Sequence, residues 1–119
     1  MITGAHMVMF TSDADGLRAF LRDVLGFDAV DARGGWLIFG LPPAELAAHP
    51  SGGDTHHALH LMCDDVEATV AELEAEGVEF TRPISDERWG RTTAMRVPGG
   101  GELGLYEPRH PVPPPAAAA

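Results

Sequence analysis

Short apolar runs alternate with helix-period segments along this chain, and the same series occurs twice. The first half opens on an apolar run at 5–10 and meets an Asp-containing turn at 12–15. It continues with Leu17, Phe20, Leu21 and Val24 at helical spacing, up to Gly26. The second half repeats the order. Residues 58–63 are apolar, Asp64 and Asp65 can cap a helix, and Val66, Val70 and Leu73 fall at i, i+4 and i+7 before Gly77. Strand patterns resume at Phe27 and at 78–80. Each half then adds two more strand-like stretches, 36–40 with 44–49 and 92–97 with 102–107. The predicted fold is therefore α+β, with two βαβββ modules forming curved mixed sheets around a cavity, each helix covering one sheet face. Module one is expected over about residues 3–50 and module two over about 55–108, within a single domain spanning 1–110. The run from Arg109 onward is rich in Pro and Ala, so 111–119 reads as a flexible tail and His110 as solvent-exposed.

Composition narrows the function classes. The 119 residues carry 18 Asp+Glu against 8 Lys+Arg, a formal charge of −10. A phosphate backbone or an anionic bilayer would be repelled, so neither nucleic acid nor membrane is an expected partner. No apolar run reaches the ~18 residues of a membrane span, and no basic-then-apolar leader opens the chain, so a cytoplasmic location is expected. Cys63, the single cysteine, excludes a disulfide within the chain and suits a small buried hydrophobe. Glu67, Glu72, Glu74 and Glu76 read as a solvated helix face, and Asp13, Asp64 and Asp65 as caps.

Several segments, in order, resemble the vicinal oxygen chelate superfamily, the group of glyoxalase I, the bleomycin-resistance proteins and the extradiol dioxygenases. They are FLRDVLGF at 20–27, His6 seven residues before Asp13, DDVEATVAELEAEGVEF at 64–80, the Trp89-Gly90 pair, and PGGGELGLYEP at 98–108. The resemblance covers about residues 3–110 and is far more specific for fold than for function. It implies that enzymes of the group hold a divalent metal such as Zn, Fe, Ni or Mn through the first and last strands of each module, leaving positions open for substrate oxygens.

Strand alternation decides which residues face the cavity. With Leu59, Leu61 and Cys63 under the helix, Ala58, His60 and Met62 face inward; with Leu103 and Leu105 in the core, so do Glu102, Gly104 and Tyr106. Leu46 in the core leaves Glu45, Ala47 and His49 on the cavity side, and His6 sides with Val8 and Phe10. A metal set would thus draw on His6, Glu45 or His49, His60 and Glu102. The register opposes it. The resemblance places the second-module histidine at Ala58 and the last glutamate at Gly104, so His60 and Glu102 each stand two residues off, ~7 Å along a strand, against metal–ligand bonds of ~2.0–2.2 Å. His57, seven residues before Asp64, competes, but turning it inward would leave His60 unpaired among leucines. His56 reads as a loop residue.

Without a metal the expected pocket is aromatic. Its walls are Phe10, Trp36, Ile38, Met62, Trp89 and Tyr106, its polar points are His6, His60, Glu102 and Arg96, and Gly104 leaves room for a close approach. Phe10, Ile38 and Met62 also suit plain core, whereas Trp89 lies among Asp86, Glu87, Arg88 and Arg91 and suits ligand stacking. The leading expectation is a protein that binds and sequesters a small, largely aromatic molecule without catalysis or cofactor, like the drug-binding members of the group, which are homodimers. The alternative is a divalent-metal-dependent enzyme of the glyoxalase, epimerase or dioxygenase type. A third reading is a non-catalytic partner module.

Overall fold

In the computed structural model, residues 6–45, 47, 53 and 57–111 are described; Leu46, His49, His56 and positions 112–119 of the expected tail lie outside the described residues. The twofold repeat reappears in the helix ends. Asp13 caps α1 (Ala14–Ala19), its carboxylate accepting the Gly16 N–H at 2.9 Å. The helix then widens into a π-helical turn over Phe20–Val24, where the Leu25 N–H reaches the Phe20 carbonyl at 3.1 Å. Asp65, rather than Asp64, caps α2 (Val66–Ala75) by accepting the Ala68 N–H at 3.1 Å. Both helices end where a glycine takes up a left-handed conformation, Gly26 at φ +74° and Gly77 at φ +88°.

The second half forms a four-stranded mixed sheet from β3 (His60–Met62), β4 (Ser85–Glu87), β5 (Gly90–Arg96) and β6 (Glu102–Pro108), in the order β3-β6-β5-β4. β3 runs parallel to β6, with His60 opposite Gly104 and Met62 opposite Tyr106. β5 runs antiparallel to β6, with Thr92 opposite Tyr106 and Arg96 opposite Glu102. The strand expected at 78–80 shrinks to one bridge, Phe80 to Met95, and β4 takes the sheet edge that the sequence pattern did not announce.

The first half is less complete. β1 (Ala29–Asp31) and β2 (Leu37–Phe39) make a separate antiparallel pair, with Val30 opposite Ile38. The described parts of 5–10 and 44–49 are not strands, contrary to the sequence expectation. A strand needs a neighbouring backbone to complete its ladder, and among the described residues no strand pairs with 6–10.

The core lies under the four-stranded sheet. Leu17 of α1, Val66 of α2 and Val78 pack against Met95, Val97, Leu103 and Leu105, with Phe20, Leu21 and Leu61 around them. The first half is fastened there by Thr11 Oγ1, which donates to the Pro98 carbonyl at 3.1 Å, and by Ser12 Oγ to Gly99 at 3.4 Å. Helix and core therefore occupy one face of the sheet and leave the other for side chains of a different kind.

Candidate functional site

That other face is set by the alternation of β3, β5 and β6. His60, Met62, Thr92, Ala94, Arg96, Glu102, Gly104 and Tyr106 share it, whereas Leu61, Met95, Leu103 and Leu105 point to the core. Tyr106 is its centre. His60 meets the phenol ring edge-on at 6.0 Å, Trp89 does so at 5.5 Å, and His110 lies tilted at 6.0 Å. The phenol donates to Glu45 Oε1 at 2.6 Å, a bond that spans the two halves of the chain. Although none of the helices among the described residues covers this face, Tyr106 is only 9% exposed.

The electrostatics follow from that packing. Burial first, then the Glu45 hydrogen bond and charge, push the Tyr106 phenol up to about 12. Because Tyr106 is the chain's one tyrosine, titration followed by phenolate absorption reads it directly. We expect ionisation near pH 12 in the folded chain, falling toward 10 in urea. The folded state holds this proton longer than the unfolded state, so the contribution to stability is full below pH ~10 and declines as pH rises from 10 to 12. A native titration near 10 would mean that Tyr106 is open to water. Burial, with the nearby Arg82 cation, lowers the His60 pKa and keeps its imidazole neutral at pH 7. Burial raises the Cys63 thiol, which suits the packing role expected for it rather than a nucleophile. Thr92 Oγ1, next to Tyr106 on this face, is the buried side-chain oxygen without a hydrogen-bond partner among the described residues.

The expected site residues thus fall into two groups. His60, Met62, Gly104, Tyr106 and Trp89 come together, joined by Glu45. Glu102 shares the face but stands one pair further along, opposite Arg96. The space above Gly104, expected to admit a ligand, is filled by the His60 imidazole, which would collide with any Cβ there. His6, Phe10, Trp36 and Ile38 belong to the first half and are not among the ring and hydrogen-bond partners of Tyr106; Phe10 is 95% exposed, and Trp36 lies under the Arg18 guanidinium at 5.1 Å. Two participants are not marked by the sequence pattern. His110, expected in solvent, packs on Tyr106 because the chain keeps its ladder past β6: the Arg109 N–H donates to the Trp89 carbonyl at 2.9 Å. Thr92 gave no signal, being an ordinary strand residue by pattern.

The described residues do not assemble a metal set. Among the described residues, no group of three or more His, Cys, Asp or Glu side chains stands close enough to share a cation. Glu45 is engaged with Tyr106 and His110, and His60 stands over Gly104, so the described residues do not fit the divalent ion that the fold implies. Beside the cluster an open groove of about 420 Å³ is lined by Met62, Cys63, Asp64, Glu107, Pro108 and His110.

The model of the Glyoxalase/Bleomycin resistance protein/Dioxygenase superfamily matches residues 4–108. The chain belongs to this superfamily. Its fold matches that of TnmS3, an antibiotic-binding protein from Streptomyces sp. CB03234, at 26% identity and TM-score 0.61, covering 91% of this chain and 99% of that one. A glyoxalase/bleomycin resistance protein from the same Streptomyces strain is 26% identical, with TM-score 0.53 over 81% of this chain and 92% of its own. A lactoylglutathione lyase from Agrobacterium tumefaciens, 19% identical, matches with TM-score 0.64 over 90% and 92% of the two chains and shares the superfamily's fold. No curated protein matches the sequence. Among the described residues, no helix is long and apolar enough to cross a membrane.

Proposed function

We propose that this chain binds and sequesters a small, largely aromatic organic molecule, without catalysis or cofactor, on the sheet face around Tyr106. The observation that carries this reading is the ring cluster. Trp89 and His60 stand edge-on to Tyr106, and Trp89, held at the β4–β5 turn, stays 45% exposed. Exposed rings fixed on a rigid sheet give a planar ligand surface to stack on with little loss of side-chain freedom. The likeness to an antibiotic-binding protein at 26% identity supports the same reading.

The experiment is a tryptophan-quenching titration with planar aromatic antibiotics. Trp89→Ala should weaken affinity by ~1–3 kcal/mol, about five- to 150-fold, as loss of a stacking anchor does. Treatment with a chelator should leave the affinity unchanged. Loss of binding on chelation, or equal binding by Trp89→Ala, would overturn the reading.

The same reading makes the acting form a homodimer. Val30 and Ile38, directly opposed on the β1–β2 pair, are both exposed, as are Met7, Val8 and Phe10. An isolated two-stranded ribbon with an apolar face in water is marginal at best, and its edges are open to pairing. A second copy supplies what that ribbon lacks, a strand partner and an apolar cover.

A further inference from the structure

We propose that Glu45 and His110 form a self-made plug on the Tyr106 face, latched through the Tyr106 hydroxyl, and that a bound aromatic molecule takes the plug's place. This rests on the binding reading above and adds to it a moving part. Tyr106 sits on a sheet face that none of the described helices covers, yet it is almost fully buried, so side chains of the chain itself do the covering.

The covers are not equally anchored. His60 is fixed by the β3–β6 ladder, and Trp89 by the tight turn into β5. Glu45 sits on a stretch outside any helix or strand, and His110 follows the end of β6. What holds these two in place is polar rather than a backbone ladder. The phenol donates to Glu45 Oε1 at 2.6 Å, and His110 Nε2 lies 3.4 Å from the phenol oxygen and 3.5 Å from Glu45 Oε1. Behind them, the Arg109 N–H bonds to the Trp89 carbonyl, and the Arg109 guanidinium pairs with Asp86 at 3.0 Å. The Arg109–Asp86 pair is exposed and contributes little stability, and segments outside helix and strand that are held by few buried contacts open first. A ring that stacks on Tyr106 and Trp89 therefore displaces Glu45 and His110 in preference to the ladder-bound groups. The groove lined by His110 and Met62 gives it a way in.

Two variants and one amide test this, with the neutral dye Nile red as probe. Glu45→Ala and His110→Ala each remove half of the plug and leave the Tyr106, Trp89 and His60 rings in place. Both are expected to bind Nile red about tenfold more tightly than the unmodified protein, the order of one hydrogen bond no longer broken on entry. The Arg109 amide reports the latch directly: its hydrogen exchange should speed up about tenfold on saturation with dye, and likewise in dye-free Glu45→Ala. If the variants bind no more tightly and the Arg109 amide stays protected on saturation, the plug is overturned while the binding reading stands. If no form of the protein binds Nile red, the binding reading fails. The latch is then decided by the dye-free amide: faster exchange in Glu45→Ala supports it and unchanged exchange overturns it.

Discussion

Replacing Leu103 by alanine is expected to lower the unfolding free energy by ~2–5 kcal/mol, the range for large-to-small changes at core sites that cannot collapse. Leu103 is 1% exposed and lies opposite Met95, itself fully buried. Its neighbours in the core come from both halves of the chain, Leu17 from α1 and Val66 from α2, so the cavity would open where the modules are joined. Against a total of ~5–15 kcal/mol for a domain of this kind, that loss is large, and a drop in Tm of about 10–20 °C should accompany it. Glu102→Ala, one residue away on the exposed side of the same strand, should stay within ~0.5 kcal/mol. Urea and thermal denaturation followed by circular dichroism compare the two. Equal melting of both variants would mean that this sheet does not cover the core.

The same alternation explains how much of the fold and site could be read from the residues. The helix caps are local chemistry: Asp13 and Asp65 bond amides three residues on, and Gly26 and Gly77 supply the left-handed turn, so both helices were visible at once. The facing of His60, Met62 and Tyr106 followed from leucines at alternate positions, which burial beneath the helices fixes. Other elements depend on something the chain does not write locally. β4 is Ser-Asp-Glu, an edge strand with no apolar pattern, held by pairing to β5 and by Arg91 reaching Asp86 at 3.0 Å and Glu67 at 2.8 Å. His110 was hidden in a Pro- and Ala-rich run whose composition reads as tail. The backbone bond from Arg109 to Trp89 extends the sheet just far enough to bring it back. Residues 6–10 show the opposite failure. Their apolar pattern is that of a strand, but pattern alone cannot supply the neighbour that makes one.

That missing neighbour carries the last expected result. Under the homodimer proposed above, Ile38→Asp should convert the protein from dimer to monomer, raising the dimer dissociation constant by at least about 100-fold, because a charge at the centre of that proposed apolar interface would be desolvated without a partner. Ile38 is 40% exposed within the single chain and directly opposes Val30, at 67% exposure, so neither side chain completes a core inside its own protomer. The substitution should therefore leave the second-module sheet and its melting nearly unchanged, which separates loss of assembly from loss of folding. Sedimentation equilibrium over a range of protein concentrations gives the constant, and circular dichroism gives the folding control. Ligand titration of the same variant then asks how the two halves share the work. The Tyr106 cluster is built within one chain, whereas Trp36, Ile38 and Phe10 stand apart from it. If the first half of a partner chain forms the second wall of the pocket, the monomeric variant should bind aromatic molecules at least tenfold more weakly while keeping its Trp89 response. Full affinity in the monomer would confine the pocket to the Tyr106 face of a single chain. A variant that remains dimeric would show that the exposed ribbon is covered by something other than a second copy.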